Sequence, residues 1–121
     1  MRKSDKKLEK AIVAALTEAC EDALKVYKGF EWLTHVVNYQ NFPDSLTVVC
    51  IFDNQESLNL AVGDNKGTGF KSAIERKLTA HNIKIKGITK RILFDTEEAC
   101  DAEHNGNWSK RLDGVQHARH V

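Results

Sequence analysis

The segment Gly63-Asp64-Asn65-Lys66-Gly67-Thr68-Gly69 sets three glycines in seven residues around an amide, a lysine and a threonine. Glycine admits positive φ and lets a backbone approach a ligand closely, so such a loop can present amide N–H groups to a phosphate. Basic residues follow it. From 63 to 91 the chain carries Lys66, Lys71, Arg76, Lys77, Lys84, Lys86, Lys90 and Arg91 against Asp64 and Glu75, a balance of +6. From 92 to 105 it carries Asp95, Glu97, Glu98, Asp101 and Glu103 with no Lys or Arg, a balance of −5. A basic loop, helix and strand face attracts phosphate backbones. The expected chemistry is nucleic-acid binding through Gly63, Lys66, Gly67, Thr68, Lys71, Arg76 and Lys77. The same charges also suit the solvated surface of a chain whose net charge is only +1.

Carboxylates offer a second chemistry. Asp53 and Asp95 each end an apolar run, and if a crossover makes those runs parallel neighbours, both emerge at one sheet edge. Glu98 or His104 would then complete a divalent-metal site able to support phosphodiester cleavage. Asp after a strand is equally a common helix cap, and the acids of 97–103 suit a helix N-terminus. Cys100 and His104 stand four apart and share one helix face. Structural zinc takes four ligands, however, and Cys20 and Cys50 lie in distant segments. The acids around Cys100 disfavour its thiolate, and His35 reads as a packed or surface histidine in a strand. The chain has no Gly-x-Ser-x-Gly elbow, P-loop, dinucleotide fingerprint or His-Glu-x-x-His, so no cofactor is implied.

These groups must be held by elements whose periods are readable. Leu8, Ile12, Ala15, Leu16, Ala19, Ala23, Leu24 and Tyr27 recur at helical steps, predicting a long amphipathic helix from a Ser4 cap to a Gly29 stop. Residues 32–39 and 46–52 read as β strands joined through Pro43-Asp44-Ser45, the second apolar enough to be central and the first an edge. A short helix over Glu56–Val62 precedes the glycine loop, and a second helix runs from Phe70 to about His81. Ile83-Lys84-Ile85-Lys86, a bulge at Gly87 and Ile88–Phe94 read as the third strand. Asp95 and Glu98 have capping-box spacing for an acidic helix that stops at Asn105-Gly106, and Trp108 and Leu112 are expected to fold back on the core. The fold class is α+β, with an α-β-β-α-α-β core, a three-stranded sheet covered by helices and a short C-terminal helix. Residues 1–112 form a single domain, and 113–121 are a flexible tail.

Gly63-x-Asn65-Lys66-Gly67-Thr68, with Arg76-Lys77-Leu78 and Asn82-Ile83 beyond, resembles the Fis-type helix-turn-helix over about 21 residues. That resemblance implies that Lys66, Thr68, Lys71, Arg76 and Lys77 face DNA. The order of elements is similar to a type II KH fold, as in the ribosome-binding factor A family, and implies an RNA phosphate chain clamped at the glycine loop. Over most of its length the chain resembles small proteobacterial proteins often labelled Fis-family transcriptional regulators. The matching segments are Asp5-Lys6-Lys7, Gly29-Phe30-Glu31-Trp32-Leu33-Thr34-His35, Val48-Val49-Cys50-Ile51-Phe52-Asp53, Phe94-Asp95-Thr96-Glu97-Glu98-Ala99-Cys100 and Gly106-Asn107-Trp108. This resemblance implies a bacterial cytosolic protein.

The 121 residues are 41% apolar and 29% charged, ordinary for one globular domain. No window approaches the length of apolar chain a membrane span needs, and three cysteines without disulfide spacing read as reduced thiols. The expected compartment is cytoplasmic. Three readings follow: a non-enzymatic binding or regulatory domain with DNA or RNA as partner, a metal-dependent hydrolase using Asp53 and Asp95, and a protein-interaction module or homo-oligomer paired through a strand edge.

Overall fold

A computed structural model of the chain describes residues 3–38, 42, 45–63 and 67–118, with 114–118 described by backbone alone. Helix α1 (Lys3–Val26) leads into strand β1 (Phe30–Val36), then β2 (Thr47–Phe52), α2 (Gln55–Val62), α3 (Thr68–Ala80), a 3-10 turn (Ile88–Arg91), β3 (Ile92–Thr96), α4 (Glu97–His104) and α5 (Trp108–Ala118). The fold is α+β. Among the described residues no helix is long and apolar enough to cross a membrane. Ser4 lies inside the first turn of α1, and Pro43 and Asp44 of the expected turn lie outside the described residues.

The sheet has the order β1-β2-β3, with β1 antiparallel and β3 parallel to β2. All six residues of β2 are buried, as its unbroken apolar run requires of a central strand covered on both faces. Register sorts the side chains. Leu33, Cys50 and Phe94 form one cross-sheet row, as do His35, Val48 and Ile92, and these point to the main core beneath α1 and α3. Trp32, Ile51 and Asp95 form a row on the opposite face.

The main core is built from helical stripes. Ile12, Ala15, Leu16, Ala19 and Ala23 of α1 and Phe70, Ile74 and Leu78 of α3 are its buried positions. The Phe70 ring meets Tyr27 at 4.8 Å, Phe30 at 5.5 Å, Phe52 at 6.0 Å and Phe94 at 5.5 Å between centroids. This cluster pins the start of α3 to the end of the sheet where β2 and β3 finish, each ring pair adding about 0.5–1.5 kcal/mol beyond burial.

The third strand is shorter than the alternation at 83–86 predicts. Residues 83–87 are not strand, and the ladder begins only at Ile92. Ile83, Ile85 and Ile88 are buried all the same, so their spacing records a loop that drops three isoleucines into the core. Gly87 at φ 73° turns the chain out of the extended region and opens the 3-10 turn. At the other end, α5 continues as helix through Ala118, six residues beyond the last apolar period read at Leu112.

Candidate functional site

The crossover from β2 to β3 divides the predicted basic segment. Beyond β2 and α2, α3 begins where Phe70 packs on Phe52 and Phe94 at the C-terminal ends of β2 and β3, and because β3 runs parallel to β2, α3 travels back along the sheet toward the β3 N-terminus. Gly63 and Gly67 therefore sit at one end of the domain and residues 84–90 at the other. The two ends are separated by the 13 residues of α3, about 20 Å at the helical rise.

Of the predicted glycine-loop residues, Asp64, Asn65 and Lys66 lie outside the described residues. Gly63 and Gly67 line a hollow of about 330 Å³ with Tyr27, Val62 and Phe70. Gly67 is the N-cap of α3 at φ 77°, where a Cβ would come within 2.8 Å of the Phe94 ring. The glycine is thus required by packing as well as by backbone conformation. No acid occupies the first turn of α3, leaving its positive end uncompensated by side-chain charge there.

Along α3 the predicted cations part company. Lys71 lies over the Phe94 ring, its Nζ 5.6 Å from the centroid. Lys77 turns to the opposite flank, 3.2 Å from Asp22 and 3.6 Å from Glu18 of α1. The hydrogen bond to Asp22 raises its pKa, and His81 Nε2 meets Glu18 at 2.8 Å, a bond that holds the Glu18 carboxyl below its usual range. Lys77 is therefore engaged inside the α1–α3 seam. The outer face of α3, where Thr68, Gly69, Arg76, Thr79 and Ala80 are exposed, bears a single cation, Arg76.

The second end is different. Lys84, Lys86, Lys90 and Gly87 are exposed while Ile83, Ile85 and Ile88 between them are buried, so the loop is anchored through its apolar side chains and turns its lysines outward. Hydrogen bonds from Ile83 N to the Leu78 carbonyl, 2.8 Å, and from Lys90 N to the Gly87 carbonyl, 3.1 Å, hold its two ends. No salt bridge engages these three lysines among the described residues.

Asp53 and Asp95 stand at the same end of the sheet, where they and Glu98 take part in a structural joint. Asp53 follows Phe52 on β2, and Asp95 pairs with Ile51 on the adjacent parallel strand. Glu98 N donates to the Asp53 carbonyl, and the Glu98 carboxylate accepts from Gln55 N. Asp95 is taken by Arg111, whose Nε and Nη2 reach its two carboxylate oxygens at 2.6 and 2.9 Å. His104 Nδ1 lies 3.1 Å from Arg111 Nη1, and Glu103 accepts from the same nitrogen at 2.9 Å. The Arg111 guanidinium thus engages Asp95 and His104, two of the four residues of the expected metal-binding set. Among the described residues no three His, Cys, Asp or Glu side chains are grouped to hold an ion.

The cap of α4 is also one residue later than expected. Thr96 is the N-cap, its hydroxyl accepting from Ala99 N at 3.0 Å, and Asp95 instead accepts from Thr96 N at 2.8 Å. Asn105 is the left-handed C-cap. Cys20, Cys50 and Cys100 are free thiols. Burial pushes the Cys50 thiol far up and raises that of Cys100, with Arg111 opposing and Glu97, Asp101 and Asp95 adding to the rise. Neither is poised as a nucleophile.

Sequence reasoning missed the joint that fastens α5. Glu97 accepts from Trp32 Nε1 at 2.7 Å and from Trp108 Nε1 at 3.1 Å, and the two indoles meet edge to face at 5.1 Å. Trp108 and Arg111 lie three apart, hence on one side of α5. They grip Trp32 and Asp95 at the two ends of the same cross-sheet row. The available signal was the Trp-x-x-Arg spacing after an acidic helix. No family model matches the chain, and neither a curated protein nor a solved structure matches it.

Proposed function

We propose that this chain is a non-enzymatic binding domain that engages the phosphate backbone of a nucleic acid through Lys84, Lys86 and Lys90 on the loop entering β3. One observation carries the reading: three exposed lysines, unpaired among the described residues, stand on a loop whose alternate isoleucines are buried. Anchoring matters because a lysine on a fixed backbone loses less freedom on meeting a phosphate than one on a loose segment. Arg76, exposed on α3, is a further cation of the same stretch of chain.

Phosphate contact releases condensed counterions, so the signature is salt dependence and not tight binding at one condition. Fluorescence anisotropy with labelled single-stranded and duplex oligonucleotides, across a salt series, tests it. Replacing Lys84, Lys86 and Lys90 together by Ala should lower the slope of log affinity against log salt by about 2–3. Replacing Lys71 and Lys77 should leave the slope within about one unit, since Lys77 is engaged by Glu18 and Asp22. Binding that ignores salt, or a slope untouched by the triple substitution, removes the reading.

A further inference from the structure

The side of α1 turned away from α3 bears a stripe that the fold leaves half covered. Val13, Thr17, Cys20 and Leu24 recur at steps of four, three and four, one helix face, and Val13 is 47% and Leu24 52% exposed. The other flank of α1 is fixed by Glu18 and Asp22, which reach His81 and Lys77 of α3. Between the stripe and β1 runs an open groove of about 310 Å³, lined by Val13, Leu16, Cys20, Leu33 and His35 among others. β1 closes the sheet on this side and pairs only with β2, so its outer backbone groups meet no strand among the described residues. Its sequence, Phe-Glu-Trp-Leu-Thr-His-Val, contains no Lys or Pro, the residues that commonly blunt an edge.

Charge along α1 selects the occupant. Residues 3–13 hold Lys3, Lys6, Lys7 and Lys10 against Asp5 and Glu9, a balance of +2, and residues 14–25 hold Glu18, Glu21 and Asp22 against Lys25, a balance of −2. A helix with this profile is complementary to itself when reversed. A twofold axis imposes that reversal, and antiparallel pairing of two identical edge strands obeys the same symmetry. Lys10 and Glu21 are exposed beside the stripe, eleven positions apart, and neither is in an ion pair among the described residues.

We propose that this flank is a self-association surface, on which a second copy of the chain docks across a twofold axis with α1 against α1 in opposite directions and β1 beside β1. The two three-stranded sheets become one continuous sheet, and Lys10 of each copy faces Glu21 of the other. The half-exposed stripe and the groove close in the same step. The surface is remote from the lysine loop in chain position and in element, and its test reads mass instead of nucleic-acid binding, so each proposal can fail without the other.

Sedimentation equilibrium on the full chain tests it, with the Lys10→Glu and Glu21→Lys variants and the double swap. The wild type should be dimeric. Each single reversal should weaken the dimer about tenfold, because the twofold repeats the altered contact, and the double swap should return affinity to within about threefold of wild type. Both positions are exposed, and circular dichroism confirms that the helices are retained. A wild type that stays monomeric at about 1 mM, a dimer indifferent to both reversals, or a double swap no tighter than the singles would overturn the proposal.

Discussion

Arg111 holds Asp95 by two parallel bonds, at 2.6 and 2.9 Å, and so joins the last described helix to the edge of the sheet. Both side chains are largely covered, 15% and 21% exposed, which makes this pair more consequential than a surface ion pair. Asp95 raises the Arg111 pKa further, so the guanidinium stays charged under all ordinary conditions. Arg111→Ala should lower stability by about 1–3 kcal/mol in urea unfolding, much of it the cost of leaving Asp95 covered and unpaired. Arg111→Lys should recover less than half of that, because an ammonium cannot reproduce the planar fork.

Glu97 satisfies two indole N–H groups at once. Its removal by Glu97→Ala should cost about 1–2 kcal/mol and shift tryptophan emission, since both reporters lose their carboxylate partner. Glu97→Gln, which retains an acceptor oxygen, should cost about half as much. Equal losses in the two variants would mean that the charge, and not the pair of hydrogen bonds, secures Trp32 to Trp108.

Two glycines near the start of α3 should respond in opposite directions. Gly67→Ala places a Cβ on a left-handed backbone and within 2.8 Å of Phe94, so a loss of about 1–3 kcal/mol is expected. Gly69 has no atom within 4 Å of such a Cβ and lies within the helix, so Gly69→Ala should gain about 0.5–1 kcal/mol. Thermal unfolding of the two variants reads the difference in sign.

Stability should fall with acid in two separable windows. His35 has its pKa lowered by burial, with Glu9 opposing. The unfolded chain therefore binds its proton first, and stability is lost as pH drops below the ordinary histidine value of about 6.5. His35→Gln should flatten the profile there. Glu18, held low by His81 and Lys77, contributes stability that is present above the ordinary glutamate value of 4.5 and lost as pH falls through its lower folded value. Urea midpoints between pH 7 and pH 3 distinguish the two.

The frame of the fold was legible because it is written in burial. The stripe of α1 apart from Leu24, which is exposed, the uninterrupted run of β2 and the Ile74–Leu78 side of α3 are periodic patterns with one packing solution. What misled was the alternation Ile83-Lys84-Ile85-Lys86, which is the same string whether a ladder or the core claims the isoleucines. Asp95 misled in a related way. Its place at the end of an apolar run is visible in the sequence and parallel pairing is there only a condition; its partner lies 16 residues onward, and no local pattern announces that Arg111 will arrive there. The basic segment looked continuous along the chain, yet a 13-residue helix carries its two ends apart and α1 absorbs Lys77 between them. Linear charge counts cannot see an acid on a neighbouring helix.

Phosphate contact is proposed for the exposed lysines of the β3 entry loop, Lys84, Lys86 and Lys90. Its most direct test is the salt slope of oligonucleotide binding measured on the wild type and on the Lys84→Ala, Lys86→Ala, Lys90→Ala triple variant. A steep negative slope that flattens by about 2–3 in the variant is expected. An unchanged slope, or no salt-sensitive binding to DNA or RNA at all, would contradict it.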